Sequence, residues 1–175
     1  ERHMPTYTPP TKDMQFILHD MLKVSQSGTP GYAELDAEFT GAVLEDAGKL
    51  ARDLLTPLNV VGDTEGCRLE NGVVRSSPGF KEGYEAMAEG GWIGISGDPE
   101  YGGMGLPFTL TASVNDMIAG ACLAIGLNPL LSQGQIEALE AHASDELKDL
   151  YLPKLVSGEW TGTMCLTEPH CGTDL

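Results

Sequence analysis

Nine residues, Leu166-Thr167-Glu168-Pro169-His170-Cys171-Gly172-Thr173-Asp174, carry the side chains best suited to binding chemistry. The mostly β-branched, aromatic and apolar run Trp160–Leu166 predicts a strand leading into a tight turn at Pro169 and Gly172. Such a turn presents successive backbone N–H groups, and Thr167 and Thr173 add two hydroxyls. Those donors suit the edge of a flat heterocycle such as an isoalloxazine, or a pyrophosphate held without basic side chains.

Other chemistries fit the sequence poorly. Cys165 and Cys171 have no His or Cys partners at zinc-ligand spacing, so no metal site is expected. His170 and Cys171 are chain neighbours with nothing to orient them as a base and a nucleophile. The phosphate-binding glycine patterns and the H-E-x-x-H pair are absent. His19 and His142 read as helix-surface or half-buried residues. Trp92, Trp160 and the seven methionines read as core, and Cys67 and Cys122 as small core or loop residues.

Helices must position this turn. Met14, Ile17, Leu18, Met21 and Leu22 form one apolar stripe, predicting a helix over about 11–26. Leu35, Phe39, Val43, Ala47, Leu50, Leu54 and Leu55 predict a second over about 33–55, which Pro57 should stop or kink. A polar loop of about 59–77 follows, in which Glu70-Asn71-Gly72 can turn a small hairpin. Pro78 suits the first turn of a helix carrying Phe80, Tyr84 and Met87 inward. Residues 94–107 form a loop dense in Gly and Pro. Helices over about 108–127, 132–142 and 145–157 come next, the last with Ser144 as cap and Leu147, Leu150, Tyr151 and Leu155 inside.

Composition bounds the rest. The 175 residues carry 10 basic and 26 acidic side chains, a net charge of −16. Binding to a phosphate backbone or an anionic lipid surface needs clustered Lys and Arg, so neither nucleic acid nor membrane is an expected partner. No apolar run approaches the ~20 residues of a membrane span. Four scattered cysteines fit a reduced, cytoplasmic protein. Glu1-Arg2-His3 reads as an expression-tag remnant (1–3), with a helical domain over 4–158 and the truncated start of a β-domain over 159–175.

Three ordered blocks carry a resemblance. Leu166–Asp174 matches the pattern L-T-E-P-x-x-G-S-D except for Thr173 in the serine place, which keeps the hydroxyl. Gly91-Trp92-Ile93-Gly94-Ile95 and Pro99-Glu100-Tyr101-Gly102-Gly103-Met104-Gly105-Leu106 resemble a G-W-x-G-[LI] … P-x-E-Y-G-G-x-G-[LM] block, with one residue missing or displaced before the tyrosine. Tyr151-Leu152-Pro153-Lys154-Leu155-Val156-Ser157-Gly158-Glu159 resembles Y-L-P-x-L-x-x-G-E. Together these blocks resemble the acyl-CoA dehydrogenase family. The N-terminal segment, Asp63-Thr64-Glu65-Gly66-Cys67 and Trp160–Met164 resemble in particular the bacterial 3-methylmercaptopropionyl-CoA dehydrogenase subfamily of dimethylsulfoniopropionate breakdown.

The resemblance implies a mainly α fold: the family's N-terminal helical domain plus the first strand of its middle β-domain. It implies FAD as cofactor, α,β-dehydrogenation of an acyl-CoA substrate, electron transfer to an electron-transferring flavoprotein, and a homodimer or homotetramer. Carried over by position, Met164, Leu166, Thr167, Gly172 and Thr173 contact the flavin, and Thr173, Asn128, Pro129 and Leu130 lie on the substrate side. Glu168 holds the turn. The family's catalytic glutamate lies in a C-terminal domain absent from these residues, so the segment alone is expected to be inactive. The competing readings are a non-catalytic helical interaction module, or half of a split protein, and a dehydrogenase for another short or medium acyl-CoA.

Overall fold

The computed structural model describes residues 6–172; residues 1–3, expected to be a tag remnant, and Thr173 lie outside them. The first helix, α1 (Thr11–Gln15), continues directly into a π-helical turn, Phe16–Met21. It ends before Lys23, whose φ is +49°. The expected helix to residue 26 is therefore cut short, with only a 3-10 turn at Val24–Gln26. Met14 and Leu18 are buried, but Ile17, Met21 and Leu22 face outward. The π turn bonds each N–H one residue further back, which moves those positions off the i+3/i+4 stripe.

Helix α2 (Ala37–Lys49) starts where the Asp36 carboxylate accepts the Phe39 N–H at 2.8 Å. It passes through a second π turn, Leu50–Leu55, into α3 (Thr56–Thr64). Pro57 does not stop it. The proline falls in the first turn of α3, where its missing N–H costs little, and the Thr56 hydroxyl donates to the Ala51 carbonyl at 2.9 Å. The polar loop therefore begins after Thr64. Leu44, Ala47, Ala51 and Leu55 are fully buried, whereas Phe39 and Leu54 of the expected face are exposed.

The hairpin forms as expected. Strands β1 (Arg68–Glu70) and β2 (Val73–Arg75) pair antiparallel, Glu70 opposite Val73. Asn71 and Gly72 both have positive φ, +51° and +80°, the requirement of a type I′ turn. Helix α4 (Phe80–Glu89) buries Met87; Gly79 rather than Pro78 stands at its N-cap.

The glycine-rich loop folds tightly on itself. The amides of Met104, Gly105 and Leu106 donate to the carbonyls of Gly94, Gly97 and Ile95. A Cβ on Gly103 would stand only 1.9 Å from the Gly97 carbonyl oxygen, so no other residue fits this approach.

Helix α5 (Phe108–His142) is the centre of the molecule and is not straight. Cys122 has non-helical angles, φ −154° and ψ 91°. Asn115 Nδ2 donates to Gln133 Oε1 at 2.9 Å although 18 residues separate them. A straight helix would hold that pair roughly 27 Å apart, so the arms 108–121 and 123–142 double back on each other. Two helices are thus present, as the sequence predicts, but the corner falls at Cys122 rather than at 128–131. By length and composition α5 is apolar enough to cross a membrane, contrary to the expectation that no such run exists. Here the corner divides it, and it serves as the core helix: Leu110, Val114, Met117, Ile118 and Ile125 bury within one cluster with Leu44, Leu55 and Met87.

Helix α6 (Asp145–Val156) packs on the second arm through Leu152, Leu155 and Val156 against Ile136. Leu147, Leu150 and Tyr151, expected inside, are exposed, because only the C-terminal half of α6 meets α5. Ser144 precedes it with extended backbone but makes no side-chain cap. The architecture is mainly α.

Candidate functional site

After α6 the chain is tied down in three steps. The half-buried Tyr84 hydroxyl, its pKa raised above the ordinary value by desolvation, donates to the Gly158 carbonyl at 2.9 Å. The Trp160 N–H donates to the Lys154 carbonyl at 3.0 Å, and the indole lies tilted against Tyr151 with ring centroids 6.1 Å apart. Trp160 is therefore half-exposed on α6 rather than in the core. Finally the Gly162 N–H donates to Ser132 Oγ at 3.0 Å, a buried bond to the second arm of α5.

Beyond Gly162 the segment leaves the helical body. Residues 163–170 are all exposed. The stretch 161–167 has no strand partner among the described residues, so its β-forming composition produces no ladder. The first pairing along it is the Glu168–Cys171 bridge, closed by N–H to carbonyl bonds of 2.9 and 3.2 Å. The His170 Nδ1 lies 3.5 Å from the Glu168 carboxylate, a surface contact.

The proposed site residues divide into two groups. Met164 and Leu166 expose apolar side chains, 64% and 52% accessible, and Thr167 and Gly172 lie together across the turn. A Cβ on Gly172 would sit 3.2 Å from Thr167 Cγ2. Asn128, Pro129 and Leu130 lie inside the second arm of α5, not at a helix end, with Pro129 buried and its two neighbours exposed. No hydrogen bond joins these two groups among the described residues; the Ser132–Gly162 contact links their elements. Cys165 and Cys171 are free thiols, the first exposed and the second half-buried.

The donor set of the segment fits a flavin ring. Among the described residues the Thr167 hydroxyl and the backbone N–H groups of 163–167 have no internal partner, and two apolar side chains flank them. A flat heterocycle with acceptors on its edge matches that combination.

Ser132, Gln133 and Gly162 escaped the reading of the sequence. Gln133 Nε2 donates to the Trp92 carbonyl at 3.3 Å while its Oε1 accepts from Asn115. Three polar residues, Ser132, Gln133 and Gln135, between Leu130 and Ile136 were the available signal, as was one glycine inside a strand-like run.

A family model described as acyl-CoA dehydrogenase, N-terminal domain, matches residues 70–159, just over half of the chain. The chain belongs to the acyl-CoA dehydrogenase family. It is 40% identical over 171 residues, 97% of its length, to a 3-methylmercaptopropionyl-CoA dehydrogenase of Ruegeria pomeroyi, of which it covers 29%. It is 35% identical over 137 residues, 77% of its length, to a butyryl-CoA dehydrogenase of Syntrophomonas wolfei, covering 22% of that protein. Over 97 residues, 55% of its length, it is 32% identical to a mitochondrial isovaleryl-CoA dehydrogenase of Bos taurus, covering 23%. The chain thus spans less than a third of the length of these curated relatives.

Proposed function

We propose that this chain is the N-terminal portion of an FAD-dependent acyl-CoA dehydrogenase, with a helical domain over 4–158 and the start of the middle β-domain over 159–175. The reaction is α,β-dehydrogenation of an acyl-CoA thioester, and 3-methylmercaptopropionyl-CoA is the favoured substrate. The similarity to the Ruegeria pomeroyi enzyme along 97% of the chain carries this reading. FAD, when bound, supplies the acceptor for the β hydride.

This chain's residues bind and orient. The Thr167 hydroxyl donates to an acceptor on the ring edge, and Met164 and Leu166 cover the ring and exclude water from it. Gly172 and Thr173 serve the phosphate or acyl-CoA side. Asn128, Pro129 and Leu130 border the acyl chain from the second arm of α5. Glu168 shapes the turn and is not the base of the reaction. No residue of this chain is assigned as the base that removes the α proton, so the segment alone is inactive. Electrons pass to an electron-transferring flavoprotein, and the protein is a homodimer or homotetramer.

A straight-chain thioester is the second reading, favoured by the similarity to a butyryl-CoA dehydrogenase. Steady-state rates of the natural-length protein with 3-methylmercaptopropionyl-CoA and butyryl-CoA separate the two. The favoured reading predicts the larger kcat/KM for the thioether; a larger value for butyryl-CoA replaces it with the second.

A further inference from the structure

We propose that Ser132 is a positioning residue for the flavin-facing segment, fixing where Met164, Leu166 and Thr167 stand through the Gly162 amide. The inference rests on the flavin reading above. Ser132 is completely buried in the second arm of α5, where an unpaired hydroxyl would be costly. Its oxygen accepts the Gly162 N–H at 3.0 Å. Gly162 approaches the helix closely enough that a Cβ would stand 2.4 Å from Gln135 Oε1, 3.0 Å from Ser132 Cα and 3.1 Å from the Leu131 carbonyl oxygen.

Among the described residues no other hydrogen bond ties 161–172 to the helical body, so the segment takes its position from this one point. The helix side is itself fixed. Gln133, next to Ser132, is bonded to Asn115 on the first arm and to the Trp92 carbonyl. Rotation of the second arm about its axis is thereby blocked, and Ser132 stays aimed at Gly162. Met164 follows two residues later and Thr167 five, so a displacement at Gly162 is transmitted to the groups that meet the ring.

The test uses the flavin-loaded protein at its natural length with two variants that disturb the contact from opposite sides. Ser132→Ala removes the acceptor with little change of shape; Gly162→Ala keeps the acceptor and pushes the segment away. Both are expected to speed hydrogen exchange of the amide at position 162, the one bonded to Ser132, about tenfold, to weaken FAD binding about tenfold, and to shift the visible flavin band, with Ser132→Thr restoring binding and band. Exchange unchanged in both variants overturns the proposal. So does faster exchange with FAD affinity and band unmoved, since the contact would then be structural only. A wild-type protein that holds no flavin sinks the flavin reading and takes the proposal with it; an altered exchange rate in that protein would still identify the contact, so the two failures are told apart.

Discussion

Gln133 is a buried amide that satisfies two partners in two different elements, and its replacement leaves both without one. Gln133→Leu should destabilise the protein by about 1–3 kcal/mol, read as a lower urea midpoint with an unchanged slope. Tyr84 adds a pH dependence. Burial raises its pKa above 10.0, so the unfolded chain releases the proton first. Its contribution is complete below pH 10 and is lost as pH rises through the folded value. Tyr84→Phe should cost about 1 kcal/mol at neutral pH and flatten the alkaline part of the stability curve; unfolding measured across the alkaline range checks both. At this scale the sequence was legible where a residue type has one common use: Asn71-Gly72 for the hairpin and Met87 for the core. It was illegible where a polar side chain serves a distant partner, as Gln133 does, because periodicity carries no sign of what lies 41 residues away.

The elements follow their apolar stripes until hydrogen-bond spacing changes. Two π turns and one corner account for the displaced boundaries: Phe16–Met21 turns Ile17 and Met21 outward, Leu50–Leu55 carries the helix past Pro57, and Cys122 folds α5 in two. Each is a local backbone choice settled by packing, which a 3.6-residue pattern does not encode. The glycine-rich loop is the opposite case, since its composition announced a loop and the structure has one there. Gly103→Ala should be the most damaging small substitution there, by about 3 kcal/mol, because backbone atoms cannot move aside as a flexible side chain can. Thermal unfolding measures it; a loss below the resolution of the melt would contradict the tight loop.

At the scale of the whole molecule, the helical body is self-sufficient in core and the site segment is not. Residues 163–170 are exposed and unladdered, while Leu44, Leu110, Met117 and Ile118 make a continuous interior. Family membership was legible in the ordered blocks at Gly91–Leu106, Tyr151–Glu159 and Leu166–Asp174. Where the segment stands was not, because strand propensity says nothing about which partner completes it. The central claim is that this segment faces a flavin during thioester oxidation. Anaerobic addition of 3-methylmercaptopropionyl-CoA to the natural-length protein, followed by its visible absorption, tests that most directly. The account predicts a bound flavin whose visible band bleaches in step with added thioester; a protein without that band, or one whose band is unchanged by this and by butyryl-CoA, would contradict it.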